Sequence, residues 1–379
     1  MKNIIIPQAA CLLHLLLAIA TLASYPLELS GEDLDSNKGP RTGVKSSVLA
    51  VGDIMLTGSS KKFLQTKGYG HAFRDKGLSK LIMSADVAFA NLEYPVTSKG
   101  SRYEDKSYTF RGDPESLSAI KGAGFDLLSL ANNHIMDYGE KGLRDTLRQC
   151  RRIGLACAGA GMDLPSASMP AVIKRKGVTY GLLAYSMTFP EEFWAGSGRP
   201  GSAHPDWAQV EQDISDARPK VDILMVSFHW GEELKSDPKK YQVDFARHAI
   251  SSGADMVLGH HPHIPQGIEI FKGRPIFYSL GNYAFGAMSE NAGMSFVALT
   301  IFRDHLPVEV KLYPVNVLNR EVVFQPKLAK GAPAERIISH LNELSRNSGT
   351  TIRYVNNIGK IVIPHDPHPA SSTLTTENH

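Results

Sequence analysis

Short apolar runs alternate with segments of helical periodicity through most of the chain. Each run is rich in branched or aromatic residues and is bounded by polar or glycine positions, which predicts a buried strand. The clearest are SSVLAVGD (46–53), FDLLSLANN (125–133), YGLLAYS (180–186), VDILMVSFH (221–229) and ADMVLGH (254–260). Strands that alternate with helices predict an α/β protein with a layered core.

The helical segments carry recognisable start and stop signals. DPESLSAIKGAG begins with Asp113 as N-cap and Pro114 at the first helical position. EKGLRDTLRQCRRIG ends at Gly154, a residue suited to a helix C-terminus. In PDWAQVEQDISDAR the spacing places four residues on one inner face: Trp207, Val210, Ile214 and Ala217.

After Gly267 the pattern changes to paired strands. GIEIF and RPIFYSL predict a hairpin that turns at Lys272-Gly273, and MSFVALTIF with PVEVKLYPV predicts a second one around 303–306. PAERIISHLNELSR (333–346) predicts a late helix. The fold class is therefore α/β, with mixed sheets flanked by helices and antiparallel strands in the C-terminal part.

Composition changes towards both ends of the sequence. The N-terminal stretch has a lysine, an apolar run and small residues at Ala23 and Ser24, which predicts an export signal; a retained anchor is the alternative. Either places the body of the chain outside the cytoplasm, in the periplasm or at the cell surface. The predicted organisation is a signal peptide or anchor (1–24), a linker (25–45), a main domain (46–318), a C-terminal extension with a helix (319–364) and a disordered tail (365–379).

Charge and cysteine content exclude some classes of function. The formal charge is +3, and the sequence has no run of basic residues that could bind a phosphate backbone. Nucleic acid is therefore not the expected partner. Removal of the signal would leave Cys150 and Cys157, either as a disulfide or as two buried thiols. Two cysteines are too few for a disulfide scaffold or a cysteine-rich zinc module.

Polar clusters follow five of the predicted strands directly. They contain Asp53; Asn91 and Glu93; Asn132, Asn133 and His134; His229; and His260, His261 and His263. The carboxyl ends of strands in an α/β sheet share one edge, so five clusters can form one site. Carboxylate, carboxamide and imidazole donors without thiolate suit divalent metals. Two such ions ~3.5 to 4 Å apart favour hydrolysis of phosphate esters.

The same residues resemble a known family. VGDIML, ANLEYPVTSKG, LSLANNHIMDYGEKGL, SFHWGEE and GADMVLGHHPHIPQGIEIFKGRPIFYSLGNYAFG are similar to the successive motifs of the CapA family of poly-γ-glutamate capsule synthesis. That family is similar in turn to calcineurin-like metallophosphoesterases. The resemblance spans roughly 47–315. It implies a metallophosphoesterase-like layered core with two divalent ions, such as Mn, Fe or Zn.

The resemblance also implies a role for each matching residue. Asp53 ligates the first ion and Glu93 stands at the bridging position. Asn133 ligates the second ion, His229 is a lone histidine ligand, and His261 and His263 are the paired ligands. His134 is the catalytic imidazole, which protonates the leaving oxygen or steadies the transition state.

Two departures from the related phosphoesterases concern the first ion. Their first motif reads Asp-x-His, whereas this chain has Asp53-Ile54-Met55, and Glu93 replaces the bridging aspartate. His260 or water is then expected to complete the first site. Further candidates for a supporting or substrate-binding role are Arg111, Asn132, Asp137, Glu232 and Asn282.

Each of these residues also has an ordinary structural interpretation. Asp53 could cap a loop, Glu93 could pair with a lysine, and the asparagines could form turns. His229 could be structural, Arg111 could form a surface ion pair, and Asp137 could cap the helix near Glu140. Glu232 could lie on a solvated face.

The expected function is production of capsule or poly-γ-glutamate by an exported protein that hydrolyses a phosphoester with metal-bound hydroxide. Its substrate would be an anionic small molecule or polymer. The rival hypothesis is a non-catalytic accessory subunit that binds metal or polyanion within a membrane complex for polymer synthesis. A third hypothesis is hydrolysis of the polymer's amide bonds. The missing first-motif histidine modestly favours the accessory subunit, whereas the retained pair Asn133-His134 favours an enzyme.

Overall fold

The computed structural model describes residues 43–364. The predicted signal, the linker as far as residue 42 and the tail from residue 365 lie outside the described residues. The strand β1 begins at Lys45, the last residue of the predicted linker, because Lys45 pairs with Arg303.

The elements alternate along the chain as the apolar pattern predicts. The strands are β1 (Lys45–Ile54), β2 (Val87–Leu92), β3 (Leu127–Ser129), β4 (Ala156–Ala158), β5 (Ala160–Gly161), β6 (Ala171–Arg175), β7 (Val178–Ser186), β8 (Gly201–Ser202), β9 (Ile223–His229), β10 (Met256–His260), β11 (Ile268–Phe271), β12 (Arg274–Phe277), β13 (Met294–Arg303), β14 (Leu306–Asn316), β15 (Lys327–Leu328), β16 (Arg353–Val355) and β17 (Ile358–Val362). The helices are α1 (Lys61–Lys67), α2 (Lys76–Ser84), α3 (Pro114–Gly122), α4 (Gly139–Ile153), α5 (Leu164–Ala167), α6 (Trp207–Ala217), α7 (Lys240–Ser251), α8 (Asn319–Val322) and α9 (Ala332–Ser345).

Apart from β5 and β8, which pair with each other, the strands of residues 43–364 form two large mixed sheets. The larger has the order β16-β17-β14-β13-β1-β2-β3-β4, with β15 beside β14. Within it β1 to β4 are parallel, and β13, β14, β16 and β17 pair antiparallel. The smaller has the order β11-β12-β10-β9-β7-β6. Both predicted hairpins are present, as β11–β12 and β13–β14.

Apolar residues on both faces of the parallel strands explain why their sequences read as continuous apolar runs. Val48 and Ala50 of β1 face a core shared with Met225 and Leu258 of the smaller sheet. Leu49, on the other face of β1, packs in a second core with α1 to α4. The outer face of the smaller sheet packs against α6 and α7. The predicted layered α/β architecture, with mixed sheets flanked by helices, is confirmed.

The C-terminal part belongs to the larger sheet. Residues 319–364 contribute β15, β16 and β17, and α9 lies where the sequence predicts a helix. Ile337 and Leu341 of α9 are buried in the core between the sheets. The predicted extension therefore packs with the main domain.

Local details differ from the sequence predictions at three places. Asp113 is the N-cap of α3, but its carboxylate accepts from Tyr69 and pairs with Lys61 instead of capping the helix. Trp207 is 45% exposed and stacks on Phe245 instead of facing inward. Cys150 and Cys157 are free thiols and form no disulfide, but only Cys150 is buried, and Cys157 is partly exposed.

None of the helices in residues 43–364 combines the length and the apolar character needed to cross a membrane.

Candidate metal centre

The carboxyl ends of five strands converge on one cluster of polar side chains. Asp53 lies near the end of β1, and Glu93 follows β2 directly. The segment 132–134 follows β3, His229 ends β9, and the segment 260–263 begins at the end of β10. The two sheets therefore contribute to the same cluster, because their parallel strands end at the same edge.

Asp53 is completely buried and is held by hydrogen bonds on both carboxylate oxygens. Its Oδ1 accepts from Asn91 Nδ2 at 2.9 Å and lies 2.9 Å from His260 Nδ1. Its Oδ2 lies 3.3 Å from His263 Nδ1. Burial alone would raise the pKa of Asp53, but contacts with His260 and His263 hold that pKa well below its ordinary value. Asp53 is therefore a charged member of the cluster.

Glu93 occupies the middle of the cluster and is also completely buried. Its Oε1 has no hydrogen-bond partner and lies 3.7 Å from Nε2 of both His229 and His263. Burial, together with the negative charge of Asp53, raises the pKa of Glu93 well above its ordinary value. A buried carboxylate oxygen that faces two imidazoles without a bond to either is suited to accept a cation.

His229 and Asn133 meet on one side of Glu93. Nε2 of His229 lies 3.0 Å from Asn133 Oδ1, and the ring of His229 lies 4.8 Å from that of His261. Burial lowers the pKa of His229 well below its ordinary value, and the neighbouring His261 adds to this effect. The imidazole is thus neutral near pH 7, which is the form that binds metal.

A strained turn presents His261 and His263. Their φ angles are 96° and 59°, in the left-handed region that residues with side chains seldom adopt. Gly259 precedes the turn, where a Cβ would lie 2.0 Å from the carbonyl oxygen of Tyr278. Strain of this kind persists where surrounding structure fixes the backbone, and it is concentrated at functional sites. Burial, and then the charge of His263, lower the pKa of His261 to about 3.

His134 lies beside these residues in a contact with Asp137 and Lys106. Its Nδ1 is 2.7 Å from Asp137 Oδ2 and 2.9 Å from Lys106 Nζ. Lys106 Nζ also donates to Asp137 Oδ1 and to the carbonyl oxygen of Asn133. Burial lowers the pKa of His134, although Asp137 opposes that shift. Asp137 thus orients the ring, and the N-cap of α4 is Tyr138.

The other predicted residues divide into buried partners and surface residues. His260 is bonded to Asp53, and its Nε2 has no partner, so it supports the carboxylate. Asn282 is 2% exposed, with Oδ1 3.1 Å from His263 Nδ1, so it lies beneath the cluster and not at a crevice mouth. Arg111 lies over the ring of Tyr138, and Glu232 is exposed and paired with Lys239. The structure does not bring Arg111 or Glu232 into the cluster.

Sequence reasoning missed two contributors and one hydrogen bond of the site. Lys106 lies in a polar loop far from any strand end, and no pattern marks it. Glu233 follows Glu232 directly, and its charge makes a smaller contribution to the raised pKa values of Glu93 and His263. Asn91 was seen in its cluster, but its bond to Asp53 follows only from the register that pairs β1 with β2.

The donor set fits divalent cations. Two groups of three potential ligands have donor atoms within 4.8 Å of one another, and Glu93 is common to both: Asp53, Glu93 and His229; and Glu93, His261 and His263. Carboxylate oxygens with the imidazoles of His229 and His261, which burial keeps neutral, suit Mn, Fe or Zn, and His263 would release its proton on binding. The orphaned Oε1 of Glu93 and Nδ1 of His261 are buried atoms that a cation would satisfy.

The charge of His263 should make the metal-free protein sensitive to alkaline pH. Burial alone would lower its pKa, but Glu93 and Asp53 raise it to about 9. The unfolded value is about 6.5, so the pKa is higher in the folded state. The protonated imidazole then contributes its full stabilisation below pH 6.5, and this stabilisation is lost as pH rises through about 9. With a chelator present, the free energy of unfolding of wild type should therefore fall more steeply between pH 7 and pH 9.5 than that of His263→Gln. Urea unfolding across this range measures both curves, and parallel curves would contradict the assignment.

Together the fold and the site define a layered α/β protein with a buried carboxylate–imidazole cluster of the kind that holds divalent cations. The family model described as "Bacterial capsule synthesis protein PGA_cap" matches residues 47–287. The chain belongs to this family, which confirms the resemblance to CapA proteins.

Two curated relatives carry the same family name. The "PGA biosynthesis protein CapA" of Bacillus subtilis (strain 168) is 35% identical over 237 residues, which are 62% of this chain and 62% of that protein. The "Capsule biosynthesis protein CapA" of Bacillus anthracis is 31% identical over 284 residues, which are 73% of this chain and 69% of that protein. The matched region therefore spans about two thirds of each relative.

Solved structures also resemble the chain at low sequence identity. One is a 5'-nucleotidase precursor from Thermus thermophilus, at 11% identity and a TM-score of 0.45, covering 78% of this chain and 59% of that one. Another is the NAD nucleotidase (NadN) of Haemophilus influenzae, at 11% identity and a TM-score of 0.44, covering 79% of this chain and 66% of that one.

Proposed function

We propose that this chain is a metal-dependent hydrolase that cleaves a phosphate ester or anhydride during production of capsule or poly-γ-glutamate. The observation that carries the proposal is the position of Glu93. Its Oε1 is buried, has no hydrogen-bond partner and faces Nε2 of both His229 and His263. A carboxylate shared between two ligand groups is the arrangement that holds a pair of ions.

Bound divalent ions would supply Lewis-acid polarisation of a phosphoryl group and would lower the pKa of water. The remaining chemistry belongs to the chain's own residues. Asn133 and His134 are consecutive, so a ligand and an acid–base imidazole stand side by side. Because Asp137 and Lys106 contact Nδ1 of His134, the other ring nitrogen, Nε2, is left to hold or transfer a proton.

The opening of the cluster fits an anionic substrate. Asn133 and His263 are only partly buried, and the side chain of His263 is 14% exposed, so solvent reaches this side. Lys106 is 15% exposed and brings a positive charge to the same place. Phosphate esters and acidic polymers carry the complementary charge.

The cellular context is part of the proposal. The N-terminal sequence has the features of an export signal or anchor, which would place the enzyme in the periplasm or at the cell surface. The relatives named for capsule and PGA biosynthesis support an anionic polymer pathway as its setting. A membrane complex for polymer synthesis is the partner that we propose.

The test is to measure metal content and turnover for the purified full chain. Metal should be determined by elemental analysis after reconstitution with Mn, Fe or Zn, and turnover on a panel of phosphomonoesters, phosphodiesters and anhydrides. Metal uptake with phosphate release supports the proposal. Metal uptake without turnover of any compound overturns the hydrolase assignment and favours a non-catalytic accessory role. Absence of metal uptake overturns the metal centre itself.

A further inference from the structure

Two buried asparagines connect the metal-binding carboxylates to the backbone of His134. Asn91 lies near the end of β2 and Asn132 follows β3, and both are completely buried. Asn132 Nδ2 donates to Asn91 Oδ1 at 3.2 Å, and Asn91 Nδ2 donates to Asp53 Oδ1 at 2.9 Å. The two carboxamides therefore form a continuous relay across the site.

Groups at the Asn132 end fix the orientation of both amides. The backbone N–H of His134 can only donate, and it donates to Asn132 Oδ1 at 3.1 Å. The carbonyl oxygen of Leu92 can only accept, and it accepts from Asn132 Nδ2 at 2.8 Å. Asn132 consequently presents its nitrogen to Asn91, which must present its own oxygen in return. The NH₂ group of Asn91 is thus directed towards the carboxylates.

The NH₂ group of Asn91 reduces the electrostatic repulsion between the carboxylates of Asp53 and Glu93. Asp53 and Glu93 are two buried carboxylates in one cluster, and like charges in a site of low dielectric repel strongly. One hydrogen of Asn91 Nδ2 is donated to Asp53 Oδ1. The other is directed between Glu93 Oε2 and His229 Nδ1, each 3.4 Å away. A neutral donor placed among these groups favours the ionised carboxylates without adding a charge that would repel a cation.

We propose that Asn91 and Asn132 are positioning residues for the metal centre, acting as one unit that orients Asp53 and Glu93 and ties them to the segment bearing Asn133 and His134. This inference rests on the proposed metal-dependent function. Neither residue needs to touch metal or substrate. Because the orientation of Asn91 is set through Asn132, loss of either amide should disturb the same property of the site.

The experiment is a double-mutant cycle for metal affinity. Asn91→Leu and Asn132→Leu, singly and together, remove the amides while keeping side chains of similar size. Mn²⁺ or Zn²⁺ binding is measured by calorimetry, after circular dichroism and urea unfolding in chelator have established that each variant is folded. Loss of a group that orients metal ligands typically weakens binding about 10- to 100-fold. We expect a loss of that size for each single variant and no larger loss for the double variant.

Asn342→Leu is the matched control, because Asn342 makes its bond to Ile352 outside the site. Its affinity should equal that of wild type. If either leucine variant fails to fold, the alanine variant at the same position removes the same amide without adding bulk or charge and takes its place in the comparison. Wild-type affinity in a folded Asn91 variant, or additive losses in the double variant, would overturn the relay while leaving the metal centre intact. Wild type that takes up no metal would instead overturn the proposed function, and the relay with it.

Discussion

Replacing Glu93 with glutamine is expected to lower metal affinity by more than about 100-fold, beyond the effect typical of residues that only support ligands. Glu93 belongs to both groups of potential ligands, so one substitution removes a donor from each. The metal-free fold should change little, because glutamine keeps the shape of glutamate and removes a charge that burial makes costly. Calorimetric titration with Mn²⁺ or Zn²⁺, and urea unfolding in chelator, measure the two quantities separately.

Glu232→Gln is the matched control for this substitution. Glu232 is exposed and paired with Lys239, and it is in neither ligand group. Metal affinity should therefore stay at the wild-type value. Equal affinities in Glu93→Gln and wild type would show that Glu93 is not a metal ligand, whatever the remaining histidines bind.

Replacing His134 with alanine is expected to reduce turnover about 10²- to 10⁴-fold, the usual contribution of a positioned acid or base. Metal content should be unchanged, because His134 is outside both ligand groups. The orientation of the ring by Asp137 supports a role in proton transfer. Burial lowers the pKa of His134 below its ordinary value, so the protonated imidazole that acts as the acid is populated only on the acid side of neutrality. Steady-state kinetics on the best phosphoester of the panel, with metal content determined on the same samples, test both expectations.

The variant His71→Ala controls for loss of an imidazole outside the site, since the partly buried His71 contacts the carbonyl oxygen of Val323. It should retain wild-type turnover. Full activity in His134→Ala would show that His134 is not the catalytic acid or base. Loss of metal together with activity would assign His134 to metal binding instead of proton transfer.

The strands that form the site were predictable because strands buried on both faces have continuous apolar sequences. The sequence places β9 and β10 within two residues of their observed bounds, and polar residues at their ends mark one edge of a sheet. By contrast, FDLLSLANN predicts a longer strand than β3, which ends at Ser129. Beyond the strand, Asn132 Oδ1 accepts from the backbone N–H of His134, a local bond that competes with the ladder, while Asn132 Nδ2 donates to the carbonyl oxygen of Leu92.

Side-chain partners were harder to predict because they depend on register and loop direction. Neighbouring carboxylates Glu232 and Glu233 look equivalent in sequence, but Glu232 pairs with Lys239 whereas the charge of Glu233 acts on the cluster. Lys106 reaches His134 from a loop with no periodic signal. Such contacts arise only when the chain has folded, so the sequence predicts the site's location better than its supporting bonds.

The division of the cluster between the two sheets bears on the order of events during synthesis. Asp53, Glu93 and Asn133 come from the earlier part of the chain and the larger sheet, whereas His229, His261 and His263 follow much later from the smaller sheet. A nascent chain that has emerged only as far as β4 holds carboxylates without their imidazole partners. On the proposed metal-dependent function, selective capture of a cation would wait until residues from distant parts of the sequence have met, and a loaded centre would mark completed folding.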